Sequence, residues 1–417
     1  MSVAWYTDWR IIHISFSSNG GAGRVASLLC SWQRMNGIQS DLLTLTDQNL
    51  VAVAWRRPWL FVSGLCDYLL VRARGNLSLF TLFRHGFHRL PRVLESEKVL
   101  LHLHWYPGVI SERRLQRFAK KQIPLIITLH DMYPITGGCH FSNGCTNYRE
   151  GCQHCPQVRS IFKKCVAKRF RKKQKTLEGI ENLRLTTPGN WLYQEANEIL
   201  GSREKRVTLI GNPIDRNIFK PKHNSVVRQR FGIRPGELVL GCVASDISDS
   251  RKGIAKIIEG WKILNSTRNQ DDRIWLVVIG GGSPTWIDLN SDRLLRIEHI
   301  SCVDELVSTY SIIDVFCTLA TAETHPNVLN EFASMGIPAI VSDIPGHKYA
   351  VENFALPANN IKEFVNQFLK IESNPILVKQ LSRAALAYSE KFDLDIVCNE
   401  LLREYMELIE YQKSRSE

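Results

Sequence analysis

The chain has 417 residues, of which 44% are hydrophobic and 23% are charged. These proportions are typical of globular proteins and exclude a mostly disordered chain or a coiled coil, and the length predicts two or three domains. The net charge of +12 favours an anionic partner, such as a phosphorylated ligand, a nucleic acid or an anionic membrane surface.

The N-terminal sequence, MSVAWYTDWRIIHIS, lacks the basic stretch and apolar segment of a secretory signal peptide. No run in the chain reaches the roughly 18 apolar residues that a membrane-spanning helix needs. We therefore expect a cytoplasmic protein whose 11 cysteines are reduced rather than paired in disulfides.

The first half of the chain predicts a parallel α/β domain. Residues 11–16 form an apolar run typical of a buried strand, and a glycine-rich loop at 17–23 leads into a helical pattern that reaches Met35. The stretch 51–90, which is rich in Trp, Phe, Leu and Arg, gives no clear assignment. Further strands are expected at 99–103, 125–129 and 183–186.

Turn-forming residues at 211–221 predict a linker, after which strands and helices alternate again. Such alternation is typical of doubly wound parallel sheets, so the two series predict two Rossmann-like lobes facing a ligand cleft. In the second series we expect strands at 238–244, 275–279, 314–319 and 339–342, and helices at 253–264, 328–335 and 394–409.

The glycine-rich loop, Gly20-Gly21-Ala22-Gly23, is the first candidate site. Glycines let a backbone approach a ligand closely, and the N–H groups at the start of a helix attract phosphate. A tight turn between the strand and the helix explains the same residues equally well.

Two carboxylates and two cations in the second series are further candidates. Glu323 lies in a loop and Glu331 in the predicted helix that follows it. Arg251 and Lys252 precede another helix, where the helix dipole disfavours cations, so an anionic partner is expected for them. Taken alone, each pattern also fits solvated surface charges.

In order and spacing, these motifs resemble those of glycosyltransferase family 4, and the resemblance covers nearly the whole chain. It implies the GT-B fold and a retaining enzyme that transfers a sugar from a nucleotide-sugar donor. The matching segments are Gly20-Gly21, Ile-Thr-Leu-His130-Asp, the linker sequence Gly-Asn-Pro-Ile-Asp, Arg251-Lys252-Gly253, Gly280-Gly281-Gly282 and Glu323 to Glu331, followed by Ile344-Pro-Gly346.

The resemblance also implies roles for single residues. Lys252 would bind the donor diphosphate, Glu323 the donor sugar and Glu331 the ribose of the nucleotide. His130 matches a histidine near the transferred sugar, so that Glu323, His130 and Lys252 are the implied catalytic residues. The other donor-binding residues that the resemblance implies are Gly20, Gly21, Arg251, Gly281, Asn327, Val328 and Leu329.

The chain departs from the family pattern in two places. Ala244-Ser245-Asp246 stands where the family has an arginine after the first strand of the second lobe, and Arg251 is the candidate replacement. Pro326, which has no N–H group, stands where many members have glycine. Because arginine, lysine and helix N-termini can stabilise a departing diphosphate, no catalytic metal is expected.

Four cysteines, Cys139, Cys145, Cys152 and Cys155, are spaced Cys-x5-Cys-x6-Cys-x2-Cys. This spacing suits a structural zinc site with four thiolate ligands, and His140 and His154 are spare ligand candidates. Two disulfides or four free thiols are the alternatives. A similar cysteine-rich insert occurs in some polysaccharide-building members of the family.

The stretch 163–175, KKCVAKRFRKKQK, predicts a basic helix with Val166 and Phe170 on its apolar side. It fits contact with an anionic membrane surface, which would place the enzyme peripherally on the inner face of the membrane. A solvated helix is the alternative.

We therefore expect a lobe at 1–210 that binds the acceptor and carries the cysteine-rich loop 139–155, and a donor-binding lobe at 223–393. The linker would occupy 211–222, and a helix at 394–417 would pack back on the first lobe. The predicted enzyme builds polysaccharide on a saccharide or lipid-linked saccharide acceptor and has no nucleic-acid partner. The alternatives are a zinc-containing nucleic-acid-binding protein and an inactive transferase-like scaffold.

Overall fold

The computed structural model divides the chain into two compact units. Unit 1 comprises residues 1–213 and 395–417, and unit 2 comprises residues 214–394. Most of the stretch 51–90, which has no clear assignment from the sequence, lies outside the described residues. The structure describes residues 8–44, 62, 64–67, 69, 79–82, 94, 98–200, 207–222, 224–282, 284 and 291–416.

Unit 1 contains a six-stranded parallel sheet in the order β2-β1-β3-β4-β5-β6. All residues of the central strands β3 and β4 are buried, which explains their nearly continuous apolar sequences. The strands are β1 (Arg10–Ser15), β2 (Gln39–Thr44), β3 (Val99–Leu103), β4 (Leu125–Thr128), β5 (Leu183–Thr187) and β6 (Val207–Leu209). The helices between them are α1 (Gly21–Met35), α2 (Glu112–Lys120), α3 (Lys163–Glu178) and α4 (Asn190–Leu200).

Unit 2 contains a second six-stranded parallel sheet, in the order β12-β11-β10-β7-β8-β9. The first strand of the unit is central, and the chain adds strands on one side of it before it returns to the other side. The strands are β7 (Val239–Asp246), β8 (Trp275–Gly281), β9 (Leu294–Ile297), β10 (Val315–Thr318), β11 (Ala339–Val341) and β12 (Ala355–Pro357). The helices are α5 (Ser225–Arg230), α6 (Ile254–Ser266), α7 (Val303–Tyr310), α8 (Asn327–Ser334), α9 (Lys348–Asn353), α10 (Ile361–Glu372) and α11 (Pro375–Ser389).

The last helix, α12 (Leu394–Ser416), belongs to unit 1 from Asp395 onward. The Tyr405 hydroxyl lies 2.7 Å from Nδ1 of His102 on β3, and the indole N–H of Trp32 on α1 donates to Asp395 at 2.6 Å. These polar contacts fix the helix against the interior of unit 1.

All the strands that the sequence predicted are present, with bounds that differ from the prediction by at most two residues. The expected α/β class with doubly wound parallel sheets is confirmed. Among the described helices, none has an apolar stretch of sufficient length to cross a membrane.

Candidate functional site

The topology of unit 2 brings together residues that are far apart in the sequence. Strands β7 and β10 are neighbours at the point where the strand order reverses. In open α/β sheets, ligands bind at the carboxyl ends of the strands on either side of this point. A short turn, Ser250–Lys252, follows β7, and the loop that carries Glu323 follows β10.

An ion-pair cluster occupies this edge of the sheet. Arg251 Nη1 donates to Glu323 Oε1 at 2.9 Å, and Lys252 Nζ lies 2.5 Å from the same oxygen. Arg251 Nη2 also donates to Asp249 Oδ2 at 2.9 Å. Glu323 is therefore the anionic partner that the position of the two cations before a helix requires.

The environment keeps Glu323 ionised. Burial acts to raise the pKa of this carboxyl, but the charges of Lys252 and Arg251 outweigh the burial and hold the pKa below its usual range. The side chains remain partly accessible, with Lys252 24% and Glu323 10% exposed. An anionic ligand that reached this edge would compete with Glu323 for the two cations.

Two glycines allow the backbone to close around the cluster. Gly253 has a φ of 70°, and a Cβ at that position would lie 2.1 Å from the carbonyl oxygen of Leu319. A Cβ on Gly346 would lie 2.1 Å from the carbonyl oxygen of Glu323. Larger residues at either position would displace the loop that carries Glu323.

The start of helix α8 lies in the same loop region. Asn327, Val328 and Leu329 form its first turn, where the positive end of the helix dipole attracts anions. Glu331, one turn further on, is buried and accepts a hydrogen bond from the Tyr310 hydroxyl at 3.2 Å.

The remaining glycine candidates lie at strand ends in their own units. In unit 2, Gly281 ends β8, and its carbonyl accepts from the Ile247 N–H at 2.9 Å. In unit 1, Gly20 has a φ of 83° and precedes α1, which begins at Gly21 and has no acidic residue in its first turn. These positions fit anion-binding turns.

His130 lies at the carboxyl end of β4 and contacts a second histidine. Its Nε2 lies 3.1 Å from Nδ1 of His104, and the two rings are stacked with centroids 5.3 Å apart. Burial lowers the pKa of His130 to about 4 against the opposing effect of Asp131. His130 is therefore a neutral imidazole at physiological pH.

The sequence reasoning missed a cluster of buried histidines behind His130. Nitrogen atoms of His13, His102 and His104 lie within 4.8 Å of one another, and all three side chains are buried. The available signal was the presence of histidine in otherwise apolar strands, IIHIS and VLLHL, because a buried polar side chain needs hydrogen-bond partners.

The cysteine-rich loop has free thiols, three of them buried. Among the described residues, no three of the cysteine sulfurs come as close together as the histidine nitrogens do. The expectation that His140 is a spare ligand is wrong. Its Nδ1 lies 2.6 Å from Asp131 and its Nε2 2.9 Å from Thr81, and its side chain is buried.

The basic stretch is helical as expected, but two of its cations point inward. Arg169 pairs with Glu112 at 2.9 Å, and the Lys173 ammonium donates to the carbonyl of Tyr133 at 2.6 Å. The alternative of a solvated helix does not hold at these two positions, because the helix packs its Arg169 side against the unit. The exposed basic residues of the helix are Lys164, Lys168, Arg171, Lys172 and Lys175.

Comparisons with known proteins give a consistent family. Residues 227–387 match the sequence profile described as glycosyl transferases group 1. WcaC of Escherichia coli strain K12, whose name is that of a colanic acid biosynthesis glycosyl transferase, is 23% identical over 290 residues. The match covers 65% of this chain and 67% of WcaC.

Solved structures share the fold at low sequence identity. Sucrose-phosphate synthase from Thermosynechococcus elongatus has a TM-score of 0.65 at 15% identity, with 97% of this chain and 100% of that chain covered. Anabaena HepE in complex with UDP-glucose has a TM-score of 0.58 at 13% identity, with 95% and 99% covered.

Proposed function

Because the chain belongs to the group 1 glycosyltransferases, also called family 4, and has the GT-B fold, we propose that it is a retaining enzyme of polysaccharide biosynthesis. The donor is a nucleotide sugar, and unit 2 is the proposed donor-binding lobe. The observation that carries this proposal is the cluster of Arg251, Lys252 and Glu323 at the strand-order reversal of unit 2.

The proposed reaction breaks the bond between the sugar and the diphosphate. Negative charge grows on the departing phosphate, and Lys252 and Arg251 stabilise it together with the first turn of α8. Glu323 binds hydroxyl groups of the donor sugar, and Glu331 binds the ribose. The acceptor hydroxyl attacks on the same face that the diphosphate leaves and passes its proton to the departing phosphate oxygen, so the sugar retains its configuration.

The other donor-binding assignments come from the family resemblance, and the placement of these residues at strand and helix ends supports them. Gly281 ends β8, and Gly20 and Gly21 form the turn before α1. His130 is the proposed contact of unit 1 with the transferred sugar. We propose unit 1 as the lobe that binds a saccharide or lipid-linked saccharide acceptor, and the name of WcaC supports a role in polysaccharide biosynthesis.

A donor screen tests this function directly. Purified protein is incubated with UDP-, GDP- and ADP-sugars, and release of the nucleoside diphosphate and the change in Tm are measured. We expect one donor to be hydrolysed slowly without acceptor and to raise the Tm at saturating concentration. Absence of both effects with every donor would favour an inactive transferase-like scaffold.

We further propose that Cys139, Cys145, Cys152 and Cys155 hold a structural zinc ion. Backbone N–H groups already donate hydrogen bonds to two of the sulfurs. The Gly137 nitrogen lies 3.2 Å from Cys152 Sγ, and the N–H groups of Gln157 and Val158 donate to Cys155. Such donors stabilise metal-bound thiolates. Burial raises the pKa of Cys152 to about 12, so this thiol is protonated when free and would release its proton on binding zinc.

The zinc proposal predicts about one zinc per chain in protein purified without chelators, as four ligands and a closed site imply. Cys152→Ser should abolish zinc binding and lower the Tm by roughly 10 °C, since several kcal/mol of metal-binding energy are lost from a unit of this size. The control is Cys165→Ser, because Cys165 is free and exposed in the neighbouring helix. Metal-free wild-type protein would contradict the proposal.

We also propose that unit 1 binds anionic membranes through helix α3. Lys164, Lys168, Arg171, Lys172 and Lys175 are exposed and follow helical spacing, so they form one basic stripe. Basic residues close to an anionic bilayer each contribute about 1 kcal/mol to binding. Peripheral binding of this kind would bring the enzyme to a lipid-linked acceptor.

Co-sedimentation with lipid vesicles measures this binding. The triple variant Lys168→Glu, Arg171→Glu, Lys172→Glu should bind vesicles with phosphatidylglycerol about 100-fold more weakly, because at least three favourable charges are removed. Lys256→Glu, Lys370→Glu, Lys379→Glu changes the charge equally on exposed positions of unit 2 and serves as the control. Equal loss in both variants, or tight binding to neutral vesicles, would contradict a specific basic surface.

A further inference from the structure

A line of hydrogen bonds runs from helix α1 to His130 through two other histidines. Gln33 Oε1 lies 2.9 Å from His13 Nε2, His13 Nδ1 lies 3.0 Å from His104 Nε2, and His104 Nδ1 lies 3.1 Å from His130 Nε2. Gln33, His13 and His104 are at most 2% exposed. His13 and His104 therefore each form one hydrogen bond on the side of Gln33 and one on the side of His130, with different ring nitrogens.

A neutral imidazole has one N–H donor and one acceptor nitrogen, so the protons along such a line must all point the same way. The amide oxygen of Gln33 can only accept, which places the proton of His13 on Nε2. His104 then donates from Nε2 to His13, and His130 donates from Nε2 to His104. The Nδ1 atom of His130 is left as the acceptor nitrogen of its ring.

The rings of His13 and His104 are neutral. Burial lowers the pKa of His13 to about 4 and that of His104 well below the usual value of a histidine. No carboxylate hydrogen-bonds to the rings of His13 or His104 among the bonds that the structure describes. At physiological pH the line therefore carries no net charge.

We propose that Gln33, acting through His13 and His104, fixes His130 as the Nε2–H tautomer, which makes Nδ1 the acceptor nitrogen of that ring. Gln33, His13 and His104 are positioning residues, since none of them is exposed to a ligand. The effect of this tautomer on activity rests on the proposed function, whereas the tautomer itself does not.

A metal ion is the competing explanation for the histidine cluster. It would need lone pairs from His13, His102 and His104, but both ring nitrogens of each already have hydrogen-bond partners. His102 is held by the Tyr405 hydroxyl and by Thr128 Oγ1, each at 2.7 Å. The hydrogen bonds satisfy the cluster completely, so we favour the fixed tautomer over a metal site.

Nitrogen-15 NMR of histidine-labelled full-length protein without ligand tests the tautomer directly. Couplings between ring nitrogens and ring C–H protons distinguish an Nε2–H from an Nδ1–H imidazole, and loss of signals in His130→Gln assigns the residue. We expect wild-type His130 to be the Nε2–H tautomer from about pH 8 down to about pH 5. The proposal would be overturned if wild-type His130 were the Nδ1–H tautomer or carried a charge, or if the wild-type protein held one metal ion per chain at the histidines.

Substitution of Gln33 tests whether this residue sets the tautomer. Gln33→Leu should give a mixture of tautomers at His130 and lower kcat/KM for the nucleotide sugar about tenfold, the effect of one misdirected hydrogen bond. Cys30→Ala, a buried change one turn earlier in α1, should leave both readouts unchanged. A single Nε2–H tautomer that persists in Gln33→Leu would overturn the role of Gln33.

Gln33→Glu provides a readout that general loss of packing would not produce. Its carboxylate still accepts from His13 Nε2, but it also stabilises an imidazolium and so raises the pKa of the ring. As the pH is lowered, kcat/KM should therefore begin to fall at a higher pH than in the wild type. An unchanged pH profile in a folded variant would argue against coupling along the line. If the tautomer behaves as expected but His130→Gln retains full activity, the proposed sugar contact fails and the histidine line stands.

Discussion

Replacement of Glu323 by glutamine is expected to lower kcat/KM for the nucleotide sugar by about 100- to 1,000-fold, the range seen when one preorganised polar group is removed from a transition-state site. Glutamine has nearly the same size, so the loop keeps its packing against Gly346. The lost feature is the negative charge that Arg251 and Lys252 hold in place at 2.9 and 2.5 Å.

The same substitution should act in the opposite direction on the free nucleoside diphosphate. Glu323 pairs with Lys252 in the unliganded protein, so a phosphate must compete with this carboxylate for the ammonium group. In Glu323→Gln that competition is gone, and UDP or its equivalent should bind as tightly as in the wild type or more tightly. Isothermal titration calorimetry measures this affinity, and single-turnover kinetics measure the transfer.

The control for Glu323 is Glu305→Gln, which removes an equal charge from an exposed position in the first turn of α7. It should change neither transfer nor nucleotide affinity. Wild-type turnover in Glu323→Gln would remove Glu323 from the site. Weaker nucleotide binding together with a lower Tm would show instead that Glu323 serves to hold the loop.

The fold was predictable because its central strands are buried on both faces. Strands such as LIIT (Leu125–Thr128) are continuous apolar runs, which only a covered parallel sheet explains well. The missed strands, β2, β6, β9 and β12, lie at the sheet edges, where polar residues and proline are tolerated. QSDLLT in β2 and ALP in β12 carry too little periodicity to be recognised.

The site was predictable only as separate motifs. The sequence singled out Arg251, Lys252 and Glu323, but it could not show that one carboxylate oxygen joins both cations across about 70 positions. That contact arises because β7 and β10 are neighbours, which is a property of the strand order. The histidine line escaped detection for the same reason, since Gln33, His13 and His104 come from three elements.

Lys252→Met should lower kcat for the nucleotide sugar about 100-fold and raise its KM, because the ammonium group is proposed to neutralise the diphosphate both before and during departure. Methionine keeps most of the unbranched side chain and removes only the charge. Lys256→Met, an exposed change one turn further on in α6, is the control and should have wild-type kinetics. Wild-type values for Lys252→Met would exclude it from leaving-group stabilisation.

The pH dependence of Lys252→Met separates this role from simple loss of binding. Lys252 is the leading charge that lowers the pKa of Glu323, so its removal leaves burial to raise that pKa against Arg251 alone. The ionised form of Glu323 is then lost at a higher pH, and the acid limb of kcat/KM should move upward relative to the wild type. An unshifted limb with a lowered kcat would mean that Lys252 acts on the diphosphate without tuning Glu323, and Arg251 would then be the cation that keeps this carboxylate ionised.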